Sequence, residues 1–106
     1  MVRNCSLKLP NRHYSYPLQT WLKMCNGNSL KIIPFDQIEE IREPIDYREM
    51  WRYYLSDTRF PCILYKEPNR KYILIDGCHR IKKQLDNNET TGIFFIITPE
   101  ILHANT

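Results

Sequence analysis

Asp76, Gly77, Cys78, His79 and Arg80 follow one another without a break and gather a carboxylate, a thiol, an imidazole and a guanidinium around one glycine. Gly77 can take backbone angles closed to residues that carry a Cβ. The planar fork of Arg80 suits bidentate contact with phosphate oxygens, and an ion pair with Asp76 is its other natural use. Cys78 is a candidate nucleophile. His79 is a candidate phosphate contact or general acid, although a histidine met alone is more often a surface residue. Asp76 has the chemistry of a base or of a ligand to Mg2+. A turn glycine alone would mean little, but the glycine with Arg80 three residues on points to a phosphate-bearing ligand.

Positioning these groups is the task of the elements around them. Residues 72–75 are an apolar run rich in β-formers and read as a buried strand. Asp76 and Gly77 break it, and a helix is expected from about Cys78, with Ile81 and Leu85 four residues apart on its inner face. The first amides of such a helix, with the positive end of the dipole behind them, form an anion site. A thiol at that end, beside Arg80, is expected to ionise more readily than usual. Arg80 itself is misplaced against the dipole, a conflict that either a bound anion or the Asp76 carboxylate would relieve.

This pattern, strand-Asp-Gly-x-His-Arg-helix, resembles the ParB/sulfiredoxin superfamily of small domains that bind a nucleotide at the turn. Sulfiredoxins carry Gly-Gly-Cys-His-Arg, which Gly77-Cys78-His79-Arg80 matches, with Asp76 in place of the first glycine. ParB proteins carry Gly-Glu-Arg-Arg and match only at Gly77 and Arg80. Free-serine kinases of the same fold carry Asp-Gly-His-His-Arg and match at Asp76, Gly77, His79 and Arg80. The family's usual alanine in the next turn is Lys83 here. The resemblance implies an α+β fold, a small mixed β-sheet with packed helices, over residues 30–106. It also implies a site at Gly77, Cys78, His79 and Arg80 for ATP or another nucleotide with Mg2+, and a second set of contacts from Ser56, Thr58 and Arg59. Cys78 would be the sulfiredoxin nucleophile, receiving a phosphorylated sulfinate.

Elsewhere the order of elements agrees with that expectation. Residues 30–34 read as a first strand, at a sheet edge because of Pro34. Asp36 with Glu39 resembles a capping box for a helical turn over residues 37–41. Asp46 with Glu49 repeats the pattern before a helix over 47–55, whose Met50, Trp51, Tyr54 and Leu55 share a face. A strand is expected at 62–65, a hairpin turn at 68–71, and a central strand at 93–97. Thr98-Pro99-Glu100 caps a last helical turn. Residues 1–29 form an N-terminal extension of unassigned role, with loop between Pro10 and Pro17. A short helix over 18–25 is expected to turn Leu18, Trp21, Leu22 and Cys25 to one side.

At 106 residues, 42% hydrophobic and 25% charged, the composition is that of one globular domain. The longest apolar run, residues 93–97, is far too short to cross a bilayer, and no apolar leader opens the chain. A cytoplasmic protein with reduced thiols and no membrane association is the expectation. Cys5, Cys25, Cys62 and Cys78 show no metal-ligand spacing among themselves or with His13, His79 and His103, and Cys62 on its strand reads as core. The net charge of +3 is unevenly spread, because residues 1–35 hold Arg3, Lys8, Arg12, Lys23 and Lys31 and no acid. That basic third, with His13, Tyr14, Tyr16 and Trp21 interleaved, offers a surface for a nucleic-acid or protein partner, or simply a solvated face.

The functional expectation is a nucleotide-binding protein performing ATP-dependent phosphoryl transfer or acting as a nucleotide-gated switch. One alternative is ATP-dependent cysteine sulfinic acid reduction through Cys78, and another is a non-enzymatic interaction module. ParB-type partitioning would need a DNA-reading helix-turn-helix and a dimerisation region after residue 106.

Overall fold

A computed structural model of the chain describes residues 4–25, 30–39 and 61–105. Two strands, β1 (Asn4–Leu9) and β2 (Arg12–Pro17), form an antiparallel hairpin that runs into helix α1 (Leu18–Met24). Strand β3 (Leu30–Pro34) leads to a 3-10 turn at Phe35–Gln37. Then come β4 (Cys62–Tyr65), β5 (Ile73–Asp76), α2 (Cys78–Asp86), β6 (Thr91–Ile97) and α3 (Pro99–Ala104). The four later strands form one sheet in the order β3-β6-β4-β5. β6 is antiparallel to β3 and parallel to β4, and β4 is antiparallel to β5, so the sheet is mixed and the fold is α+β.

The sheet is covered on both faces. Successive side chains on a strand point to opposite sides. Ile63 and Tyr65 of β4, with Ile75 and Ile97, meet Cys5, Leu7, Tyr14, Trp21, Met24, Cys25 and Leu102 on one side. Cys62 and Leu64, with Ile33, Phe94 and Ile96, meet Ile81 of α2 on the other. All four residues of β4 are buried, which is why its sequence is apolar throughout rather than alternating.

The N-terminal residues depart from the expected loop. Cys5 and Leu7 of β1 alternate with exposed Asn4, Ser6 and Lys8, and Tyr14 of β2 is buried across from Leu7. Pro10 and Asn11 only turn the chain. The indole Nε1 of fully buried Trp21 donates to Cys5 O at 2.9 Å, tying α1 to β1. The inward face of α1 is Trp21 and Met24, followed by Cys25, whereas Leu22 is 43% exposed. The basic side chains of Lys8 and Arg12, with His13, sit on exposed positions of the hairpin.

Two local expectations also change. Asp36 does not cap a helix: the cap position is Pro34, and no side chain bonds there. Glu39 instead pairs with Arg70 at 2.9 Å, a partner distant in sequence that stabilises the crossing of the two segments. On α2 the inner residues are Ile81 and Gln84, while Leu85 is 41% exposed. The edge position of β3 and the Thr98 cap on Ile101 N–H, with Pro99 opening α3, follow the sequence reading. The expected helix over 47–55 lies outside the described residues. Among the described residues no helix is long and apolar enough to cross a membrane.

Candidate functional site

β5 ends at Asp76 and α2 begins at Cys78, so Gly77 alone makes the turn. It has φ +115°, in the left-handed region, and serves as the N-cap position of α2. A Cβ at Gly77 would also fall 2.2 Å from Cys62 Sγ and 2.5 Å from Cys62 Cβ. Backbone angle and packing therefore demand glycine independently. No side chain caps α2, and its first intrahelical bond is from Ile81 N–H to Gly77 O. The N-terminal amides thus face the same side as the turn.

Asp76 is buried, with 4% of its surface exposed, and it is not placed as a solvent-facing base. Its Oδ2 lies 2.5 Å from Arg80 Nη2, while Cys5 Sγ approaches Oδ1 at 3.9 Å. Arg80 Nη1 donates to Pro61 O at 3.2 Å. The misfit of a cation in the first helical turn is answered here by the carboxylate that precedes the helix. Two of the guanidinium's five N–H groups are used in these contacts. His79 and Cys78 are half-buried on the first turn.

The four thiols differ in access. Cys5, Cys25 and Cys62 are buried and Cys78 is not, and none of the four is joined in a disulfide. Burial pushes the Cys62 thiol up from the ordinary 9.0 to about 11; the Arg80 charge pulls it down, and Asp76 and Cys78 push it further up. Burial alone raises Cys25 to about 11. Cys62 is buried, as a core residue is, yet it stands at the site. Its sulfur lies 3.9 Å from Gly77 O, against the turn itself. Counting the β4–β5 hairpin outward from its turn reaches the neighbourhood of residue 77, but a register shift between Ile63 and Leu64 moves the pairing.

The structure brings Asp76, Gly77, Cys78, His79 and Arg80 together at one end of α2, joined by Cys62, Pro61 and Cys5. Ser56, Thr58 and Arg59 lie outside the described residues. Among the described residues no group of three or more His, Cys, Asp or Glu side chains is arranged to hold a metal ion. Asp76, the carboxylate with the chemistry of an Mg2+ ligand, is taken up by Arg80, so among the described residues of the site none is placed to hold Mg2+. An open cavity of about 500 Å3 lies at the opposite end of α2, lined by Phe35, Leu85 and Thr90 among others.

No family model matches the sequence, and no curated protein matches the chain. Among solved structures, sulfiredoxin from Arabidopsis thaliana is similar at 18% identity and a TM-score of 0.47, over 73% of this chain and 96% of that one. Likeness of that degree assigns no activity.

Proposed function

We propose that the turn from Asp76 to Arg80 binds the phosphates of a nucleotide, and that Cys78 is the thiol acting there, in ATP-dependent reduction of a cysteine sulfinic acid. The observation that carries this reading is the position of Cys78. It is the first residue of a helix whose N-terminus no side chain caps, and it is the least buried of the four thiols. A position at a helix N-terminus suits a thiol nucleophile, whose thiolate is the form that attacks sulfur.

In that chemistry ATP supplies the phosphoryl group that turns a sulfinate oxygen into a leaving group. Cys78 then forms an S–S bond to the sulfinate sulfur as phosphate departs. A thiol reductant from solution attacks the Cys78 sulfur and breaks that bond, releasing the peptide as a sulfenic acid that further thiol reduces. This leaves a mixed disulfide from which a second thiol frees Cys78. The chain's own contributions are the amides after Gly77, which receive phosphate oxygens, and Arg80. Arg80 is held against Asp76 and Pro61 and offers its remaining N–H groups. His79 is the residue beside them for a phosphate contact. No step is assigned to Mg2+ by these residues. Phosphoryl transfer with Asp76 as base is less well supported, because that carboxylate is buried and paired. A nucleotide-gated switch would use the same phosphate contacts without Cys78.

The test is ATP titration by calorimetry together with a reductase assay on a peptide carrying cysteine sulfinic acid, for wild type and Cys78→Ser. Both proteins should bind ATP and only wild type should reduce the peptide. Normal turnover by Cys78→Ser would remove the thiol role, and failure of wild type to bind ATP would remove the nucleotide site.

A further inference from the structure

A second thiol stands beside the one that solvent reaches. Cys62 comes from β4 and Cys78 from α2, yet Cys62 Sγ occupies the place a side chain on Gly77 would fill, one residue before Cys78. Its distance to Gly77 O, 3.9 Å, puts the sulfur against the peptide that joins Gly77 to Cys78. At Cys78 the Cα–Cβ bond tilts toward the helix N-terminus, as in any α-helix, and so back toward the turn where Cys62 waits. Cys78 is half-buried and Cys62 is 2% exposed. That is the arrangement of an oxidant-reachable thiol with a sheltered partner.

We propose that Cys62 is the resolving thiol of Cys78, so that a hydroperoxide converts the pair to a Cys62–Cys78 disulfide. The Cys78 sulfur attacks the outer peroxide oxygen, the O–O bond breaks, and the remainder leaves as an alcohol or water. This gives a sulfenic acid on Cys78. The Cys62 sulfur then attacks the Cys78 sulfur, the S–O bond breaks, and the hydroxyl departs as water with the thiol proton of Cys62. The two thiols together lose two electrons and the peroxide gains them. The high thiol value of Cys62 keeps it protonated near neutral pH and leaves the first step to Cys78. The product masks Cys78 and spares it from irreversible over-oxidation. None of this depends on a bound nucleotide.

The experiment is hydrogen peroxide treatment of the full chain at neutral pH, alkylation of remaining thiols, trypsin digestion and mass spectrometry. Residues 60–66 and 72–80 fall in separate tryptic peptides, so the link is read directly. The expected result in wild type is those two peptides joined, with the intact chain lighter by two hydrogens. In Cys62→Ser, Cys78 should instead advance to the sulfinic and sulfonic acids. Linkage of Cys78 to Cys5 or Cys25, linkage between chains, or over-oxidation of Cys78 in wild type would each overturn the proposal. The wild-type chain alone decides the matter, so poor folding of Cys62→Ser would not disturb the test. ATP binding by the reduced protein, measured separately, keeps this outcome distinct from that of the nucleotide reading.

Discussion

Arg80 Nη2 lies 2.5 Å from Asp76 Oδ2, one helical turn away in sequence, with the carboxylate side chain 3% exposed and the guanidinium side chain 19% exposed. This pair closes the turn from both sides of Gly77. It also ties the start of α2 to Pro61, the residue before β4, through the second bond of Arg80. Removing one partner leaves the other charge uncompensated in a poorly hydrated place. Arg80→Ala should therefore lower stability by about 3 kcal/mol, the lower end of the range for a broken buried pair. The double variant Asp76→Ala/Arg80→Ala should lose less than the two single effects combined. Urea denaturation of the four proteins checks both statements, and strict additivity would show that the two groups are not coupled.

Gly77→Ala faces two obstacles: a positive φ and a Cβ set 2.2 Å from Cys62 Sγ. A loss of about 3 kcal/mol or more is expected, beyond the roughly 1–2 kcal/mol of the left-handed angle alone. Adding Cys62→Ala should restore little, because the Cys62 Cβ at 2.5 Å remains. Thermal melts of the single and double variants decide this. Full recovery in the double variant would mean that the sulfur was the whole obstacle.

Thiol reactivity should follow access. With limiting iodoacetamide at neutral pH, Cys78 should be modified well ahead of Cys5, Cys25 and Cys62, as read by peptide mass spectrometry. The alkaline side carries a stability prediction. Cys25 and Cys62 keep their protons up to about 11 in the folded chain, against 9.0 ordinarily. Between those values the unfolded chain has released protons that the folded chain retains, so the stabilisation is complete below about pH 9 and disappears as pH approaches 11. Denaturation midpoints should fall across that window, and less so in Cys25→Ala/Cys62→Ala.

Trp21 joins the N-terminal hairpin to the sheet. It is fully buried, packs edge-on against Tyr16 at 5.3 Å between ring centroids, and bonds Cys5 O. Trp21→Ala should cost about 3–5 kcal/mol, as large aromatic deletions in cores do. Trp21→Phe should cost less while still forfeiting the indole bond. Removing residues 1–25 should do more damage than either, since Ile63, Tyr65, Ile75 and Ile97 would lose their cover. Equilibrium denaturation and solubility of the three variants test the order.

Much of the frame was readable from local pattern. Strands β3, β5 and β6 are largely apolar segments ended by Pro, Asp-Gly and Thr-Pro, and Thr98 with Pro99 marks the start of α3 chemically. The hairpin was less apparent because two prolines bracket β2 and suggest loop. The alternation of Asn4, Cys5, Ser6, Leu7 and Lys8 was nevertheless present in the chain. Glu39 reads as part of a local cap because its partner, Arg70, is brought near only by the completed fold.

The site shows the same division. Gly77 and the helix start follow from residue chemistry, and so does the choice Arg80 faces between a phosphate and Asp76. That Cys62 stands against the turn does not follow, because β4 is apolar at every position and hides the register shift between Ile63 and Leu64. A strand buried on both faces carries no alternation from which to read its register.

The parallel pairing of β4 with β6 sets an order in time. Cys62 lies opposite Phe94, and Leu30 of β3 lies opposite Phe95, so both contacts must wait for long intervening stretches to be enclosed. The hairpin β1–β2 has no such delay, since Leu9 meets Arg12 across a two-residue turn and can zip in about 1–10 μs. Refolding should therefore begin at the N-terminus, with closure of the sheet as the slow step. The chemistry-bearing turn lies within the stretch enclosed last. A chain emerging from synthesis would carry Cys78 in an unstructured and unselective setting until β6 had been made.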